Sequence, residues 1–150
     1  MLNQQDLIGQ WRLVWFREQE PDGTWKDALG TGAKGYISYT ASGHMMATIG
    51  GAERPRFRGE WASIPDADRA RCLDRMVAYA GRYTLAADRV LHHVDVCWIP
   101  NWEGRDLVRL ASFPAPGQLL LRTEAAASPA SSGVAGRARP MQEVLWERAV

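Results

Sequence analysis

The first side chain to which chemistry can be assigned is a histidine in Arg89-Val90-Leu91-His92-His93-Val94-Asp95-Val96-Cys97-Trp98. On an extended chain Val90, His92, Val94, Val96 and Trp98 share one face, and Arg89, His93, Asp95 and Cys97 share the other. His92 therefore belongs to an apolar, inward face. An imidazole there, with an ordinary pKa of about 6.5, serves as general acid or base, or else only bonds a buried Tyr or backbone group. Arg109, within Asp106-Leu107-Val108-Arg109-Leu110, has two readings as well. Pointing inward, it grips a ligand carboxylate or enolate with its fork of donors; pointing outward, it covers apolar surface with its stem. Tyr83 completes the candidate catalytic set with a hydroxyl.

A pocket also needs walls, and Trp15, Met46 and Trp98 fall on the faces assigned to the interior. Tyr36 is a further candidate contact, although Tyr36 and Tyr39 lie on opposite faces and cannot both enter from a regular strand. Asn101 and Trp102 sit in a turn at one mouth, capping a cavity or stapling the loop. No metal or cofactor is expected. His92 and His93 face opposite ways, His44 adds no ligand spacing, and Gly30 to Gly35 lacks the spacing of a phosphate loop.

The elements that position these residues have a period of two nearly everywhere. Strands are predicted over Trp11 to Arg17, Gly35 to Thr40, His44 to Ile49, Arg82 to Leu85, Arg89 to Ile99, Asp106 to Phe113, Gln118 to Thr123 and Met141 to Arg148, with Thr24-Trp25 a shorter piece. Turns at Pro21-Asp22-Gly23, Ala41-Ser42-Gly43, Ala87-Asp88 and Pro114 to Gly117 join them. One helix is predicted over residues 65 to 80, opened by Pro65 with Asp66 and Asp68, carrying Ala70, Leu73, Met76, Val77 and Ala80 on one face, and closed by Gly81. Residues 125 to 138, rich in Ala, Ser and Gly, read as a mobile insertion. The predicted fold is all-β with one helix: an eight- to nine-stranded antiparallel up-and-down barrel in a single domain. About eight strands enclose room for one small ligand.

Composition narrows the partners. A length of 150 residues, 46% of them apolar, supports one hydrophobic core, and a net charge of +1 supplies no field for nucleic acid. Cys72 and Cys97 form no CxxC pair and read as free thiols; Cys97 faces away from the interior, beside Asp95. The first residues lack a basic and apolar leader pattern, and no segment has the run of about 20 apolar residues of a membrane span. A cytoplasmic monomer or homodimer with no membrane partner is expected. Seven Trp is a high number for this length, and such residues line cores or pockets.

Several stretches resemble one family. Gly9-Gln10-Trp11 resembles the Gly-x-Trp opening of lipocalins. Gly35 to Met45, Ala78-Tyr79-Ala80-Gly81-Arg82-Tyr83, His92-His93-Val94 and Pro100-Asn101-Trp102-Glu103-Gly104 resemble the bacterial and fungal lipocalin-like domain family. The resemblance spans almost the whole chain. It implies a calycin-type barrel with a central cavity, whose floor Arg148 closes by a cation–π contact on Trp11. It also implies ligand binders and cofactor-independent enzymes on natural-product intermediates. The first expectation is thus a cofactor-free cyclase, isomerase or lyase acting on a hydrophobic, polyketide-like molecule; the alternative is a non-catalytic carrier of a small hydrophobic ligand.

Overall fold

Strand β4 (His44–Gly50) illustrates how the fold is encoded: Met45, Ala47 and Ile49 are buried, and His44, Met46 and Thr48 between them are exposed. In the computed structural model, which describes residues 2–123 and 140–149, the same alternation recurs around a closed sheet. The other strands are β1 (Gly9–Gln19), β2 (Trp25–Asp27), β3 (Lys34–Tyr39), β5 (Met76–Ala86), β6 (Arg89–Cys97), β7 (Asp106–Ser112), β8 (Gln118–Thr123) and β9 (Gln142–Arg148). From β3 to β9 each strand pairs antiparallel with the next, and β1 pairs with both β3 and β9. Eight strands therefore close into a barrel without free edges, and β2 extends the far end of β1 as an extra strand. The expected insertion at 125 to 138 lies outside the described residues.

The closed end is sealed as the resemblance implies. A one-turn helix α1 (Gln4–Leu7) precedes β1, and the Trp11 indole donates to the Leu7 carbonyl at 2.8 Å. The Arg148 guanidinium sits 4.2 Å from the centre of the Trp11 ring and donates to the carbonyls of Ile8 and Asp6 at 2.9 and 2.8 Å. Gly9 has φ +131, and a Cβ there would stand 2.8 Å from that guanidinium. Arg148→Leu removes two charge-assisted bonds and the cation–π contact. It should lower stability by about 1–2 kcal/mol in denaturant unfolding and leave ligand binding unchanged.

The helix prediction needs correction. Helix α2 covers only Asp66–Asp74, and β5 begins at Met76. Residues Met76 to Ala80 pair with Gly50 to Met46 of β4, and Tyr79 and Ala80 pair with Cys97 and Val96 of β6. The three- and four-residue spacing of Met76, Val77 and Ala80 is outweighed by this pairing, because a helix there would leave two strand edges open inside the barrel. Gly81, expected as a helix stop, instead lies in mid-strand opposite Val94.

Two bulges reset the inward face. The β1–β9 register skips Val14, pairing Leu13 with Trp146 and Trp15 with Leu145. Phe16 is buried after it, while Trp15 turns outward beneath the Arg17 guanidinium, 4.3 Å from its ring centre. The β5–β6 register skips Asp95, so Val96 is 58% exposed and Cys97 is buried, the reverse of the expected faces. Met46, at 61% exposure, and Tyr36, at 50%, also face outward. Both are corrections, since Ile37, Tyr39, Ala47 and Ile49 take the interior. No helix among the described residues is long and apolar enough to cross a membrane.

Candidate functional site

The barrel encloses a cavity of about 320 Å³, at the low end of the range for small-molecule sites. Its mouth lies at the end opposite α1. Leu73 and Asp74 of α2, Trp98, Trp102 in the 3-10 turn Pro100–Trp102, and the strand-end residues Glu18 and Gln142 line that region. Trp98 and Trp102 pack edge to face with ring centres 4.9 Å apart. Deeper walls are apolar, supplied by Phe16, Ile37, Ala47, Ile49, Leu121 and Val144.

Polar groups enter this wall at three places. Tyr79 reaches it from β5, Arg109 from β7 and Trp146 from β9. Arg109 is therefore inward. Its Nη1 donates to the Val108 carbonyl at 2.9 Å, and no salt bridge among the described residues involves it. Trp146 is 2% exposed, and its indole Nε1 has no hydrogen-bond partner among the described residues.

Behind the wall lies His92, fully buried, with Nε2 2.8 Å from the Tyr39 hydroxyl and Nδ1 2.9 Å from the Tyr79 hydroxyl. Burial first, then the positive charge of Arg109 and the neighbouring His93, pulls its pKa down to about 3. The ring is neutral at physiological pH. Burial likewise holds the hydroxyls of Tyr39 and Tyr79 above their ordinary value, with Arg109 opposing. The group is thus a chain of neutral hydrogen bonds, Tyr39–His92–Tyr79, of which Tyr79 meets the cavity.

The structure sorts the expected site residues. Trp98, Trp102 and Arg109 line the cavity. His92 is inward but touches the cavity only through Tyr79. Tyr83 is tied to the closed end, donating to the Thr40 carbonyl at 2.9 Å and accepting from Gln4 at 3.2 Å, and it does not line the cavity. Asn101 is exposed and also outside it, as are the outward Trp15, Tyr36 and Met46. Sequence reasoning missed Tyr79, which it placed on the helix, and Trp146, whose parity with Val144 on β9 was the available signal. Among the described residues no cluster of three or more His, Cys, Asp or Glu is arranged to hold a metal ion.

A family model described as the lipocalin-like domain matches residues 8–149. No curated protein matches the sequence. Among solved structures the chain is similar to a redesigned beta barrel at 11% identity and a TM-score of 0.46, covering 98% of this chain and 95% of that one. It is similar to the same degree, 11% and 0.46, to an uncharacterized protein from Bacteroides eggerthii, covering 96% of this chain and 100% of that one.

Proposed function

The chain belongs to the lipocalin-like domain family, and from that premise we propose that it binds one small hydrophobic molecule inside the barrel, with an oxygen of that molecule held at the inner wall. The fold is consistent with small-molecule binding. The observation that supports the finer reading is the cavity itself: about 320 Å³ of mainly apolar space into which Arg109 and Tyr79 project. Apolar walls supply affinity by area, and the few polar groups fix orientation. Two buried cysteines that form no disulfide, Cys72 and Cys97, fit a cytoplasmic setting.

Filling the space tests this. Ala47 is 3% exposed and lines the cavity, so Ala47→Phe puts a ring where the ligand belongs. Titration of a bicyclic aromatic ligand, followed by tryptophan quenching, should saturate in the wild type and weaken by about tenfold or more in this variant. Equal affinity in both would place the ligand elsewhere.

A second reading, a cofactor-free cyclase, isomerase or lyase on a polyketide-like intermediate, is favoured by one feature: Tyr79 is coupled to His92 and lies in the field of Arg109. There a substrate that enters as its enolate has its oxygen held by a hydrogen bond from Tyr79 and its charge balanced by Arg109, with His92 as a positioning residue. Under this reading Tyr79→Phe lowers kcat about 100-fold with KM little changed, and the carrier returns its ligand unaltered by mass spectrometry.

A further inference from the structure

The hydrogen-bond chain around His92 has a direction, and that direction decides what the cavity accepts. A neutral imidazole has one N–H and one bare nitrogen, so one tyrosine hydroxyl donates to His92 and the other accepts from it. Suppose Tyr79 were the donor. Tyr39 would then accept from Nε2–H, and its own proton would be left without an acceptor at a residue 2% exposed, whose hydroxyl makes no hydrogen bond among the described residues except that to His92. Reversing the chain removes the conflict: Tyr39 donates to Nε2, His92 donates from Nδ1, and the spare proton falls on Tyr79, the one member that lines the cavity.

With that direction, the inner wall holds donors. They are the Tyr79 hydroxyl, the Trp146 indole N–H, buried and without a hydrogen-bond partner among the described residues, and the Arg109 guanidinium. A buried N–H that nothing accepts is costly, and a ligand oxygen in the same cavity relieves it. The acidic groups, Glu18 and Asp74, stand on β1 beyond the bulge and on α2 at the mouth, and Glu18 already pairs with Lys26 at 3.4 Å.

We infer that the cavity selects a hydrophobic molecule carrying an anionic oxygen, a carboxylate or enolate, received by Arg109, Tyr79 and Trp146, with His92 held as its Nδ1–H tautomer. The inference rests on the binding reading above and deepens it, because that reading asks only for a small hydrophobic ligand. Trp146 is assigned as a specificity-determining residue and His92 as a positioning residue. An amine is disfavoured by the positive charge of Arg109, and the Tyr79 oxygen, the one acceptor among the three groups, is already engaged by the His92 Nδ1–H.

Calorimetry at pH 7 with three probes of one size, 2-naphthoate, 2-naphthalenemethanol and 2-naphthylmethylamine, separates the possibilities. The carboxylate should bind about tenfold or more tighter than the alcohol, and the amine weakest. Trp146→Phe should weaken the carboxylate about three- to tenfold and the alcohol less. In the unaltered protein, nitrogen NMR of His92 should show the proton on Nδ1, a readout that does not depend on any variant folding. A proton on Nε2, or an alcohol or amine binding as well as the carboxylate, overturns the inference while leaving the binding reading standing. Failure of all three probes to bind overturns both.

Discussion

Gly81→Ala should destabilise the barrel by about 3 kcal/mol or more, a fall of about 10 °C in melting temperature for a domain of this size, or prevent it from folding. The reason is steric. At Gly81 β5 crosses the bulge of β6, and an added Cβ would stand 1.9 Å from the His93 carbonyl oxygen and 2.9 Å from the Asp95 nitrogen. Both are backbone atoms of a paired strand, so they cannot yield as a side-chain tip would. Gly104→Ala is the control: φ is +75 there, but among the described residues no atom other than those of its chain neighbours lies within 4 Å of the added carbon. It should cost only the local conformational penalty, about 1 kcal/mol. Thermal and denaturant melts of both variants check the contrast, and equal losses would mean that the approach of the two strands is not as close as described.

The second large effect is on acid stability. His92 has a pKa of about 3 when folded, against 6.5 as the ordinary value. Between those values the unfolded chain binds a proton that the native protein does not, so stability rises with pH across this window. The contribution of His92 is complete above pH 6.5 and is lost as the pH falls toward 3. A shift of this size corresponds to up to about 5 kcal/mol. His92→Gln removes the titration, and unfolding free energy plotted against pH should flatten relative to the wild type by about 1.4 kcal/mol per pH unit within the window. The variant is also less stable at pH 7, since Tyr39 loses its hydrogen-bonding ring. Parallel pH profiles would show that His92 is not held neutral by its surroundings.

Much of this was legible in the sequence because a closed antiparallel barrel writes itself in alternation. His92 is inward by parity, and the resemblance to lipocalins, not alternation, places Trp11 with Arg148 at the closed end. Met46 and Tyr36, expected at the cavity, face outward, and parity with their exposed neighbours is the signal: Met46 shares a face with His44 and Thr48, and Tyr36 with Lys34 and Ser38. Trp15 and Cys97 are not placed by parity, because one extra residue at Val14 and another at Asp95 invert the faces of the strand residues that follow, whereas Trp98 lies past the end of β6. Ala70, Leu73, Met76, Val77 and Ala80 fit a helical face by coincidence, and only pairing with β4 and β6 ends the helix at Asp74. That coincidence hid Tyr79. Of the candidate site, Arg109, Trp98 and Trp102 were therefore visible in advance, whereas the Tyr39–His92–Tyr79 chain and Trp146 required the register of four strands.

The seven Trp offer the most direct test of the central claim, that the cavity is where a ligand binds. Each indole N–H gives one cross-peak in a nitrogen–proton correlation spectrum, and each can be assigned by Trp→Phe substitution. Trp98, Trp102 and Trp146 line the cavity; Trp11, Trp15, Trp25 and Trp61 do not. On titration with 2-naphthoate, the peaks of Trp98, Trp102 and Trp146 should move together and saturate at one equivalent, with the other four unmoved. Saturable movement at Trp25 or Trp61 with the three cavity peaks still, or no saturable movement at all, would contradict the account.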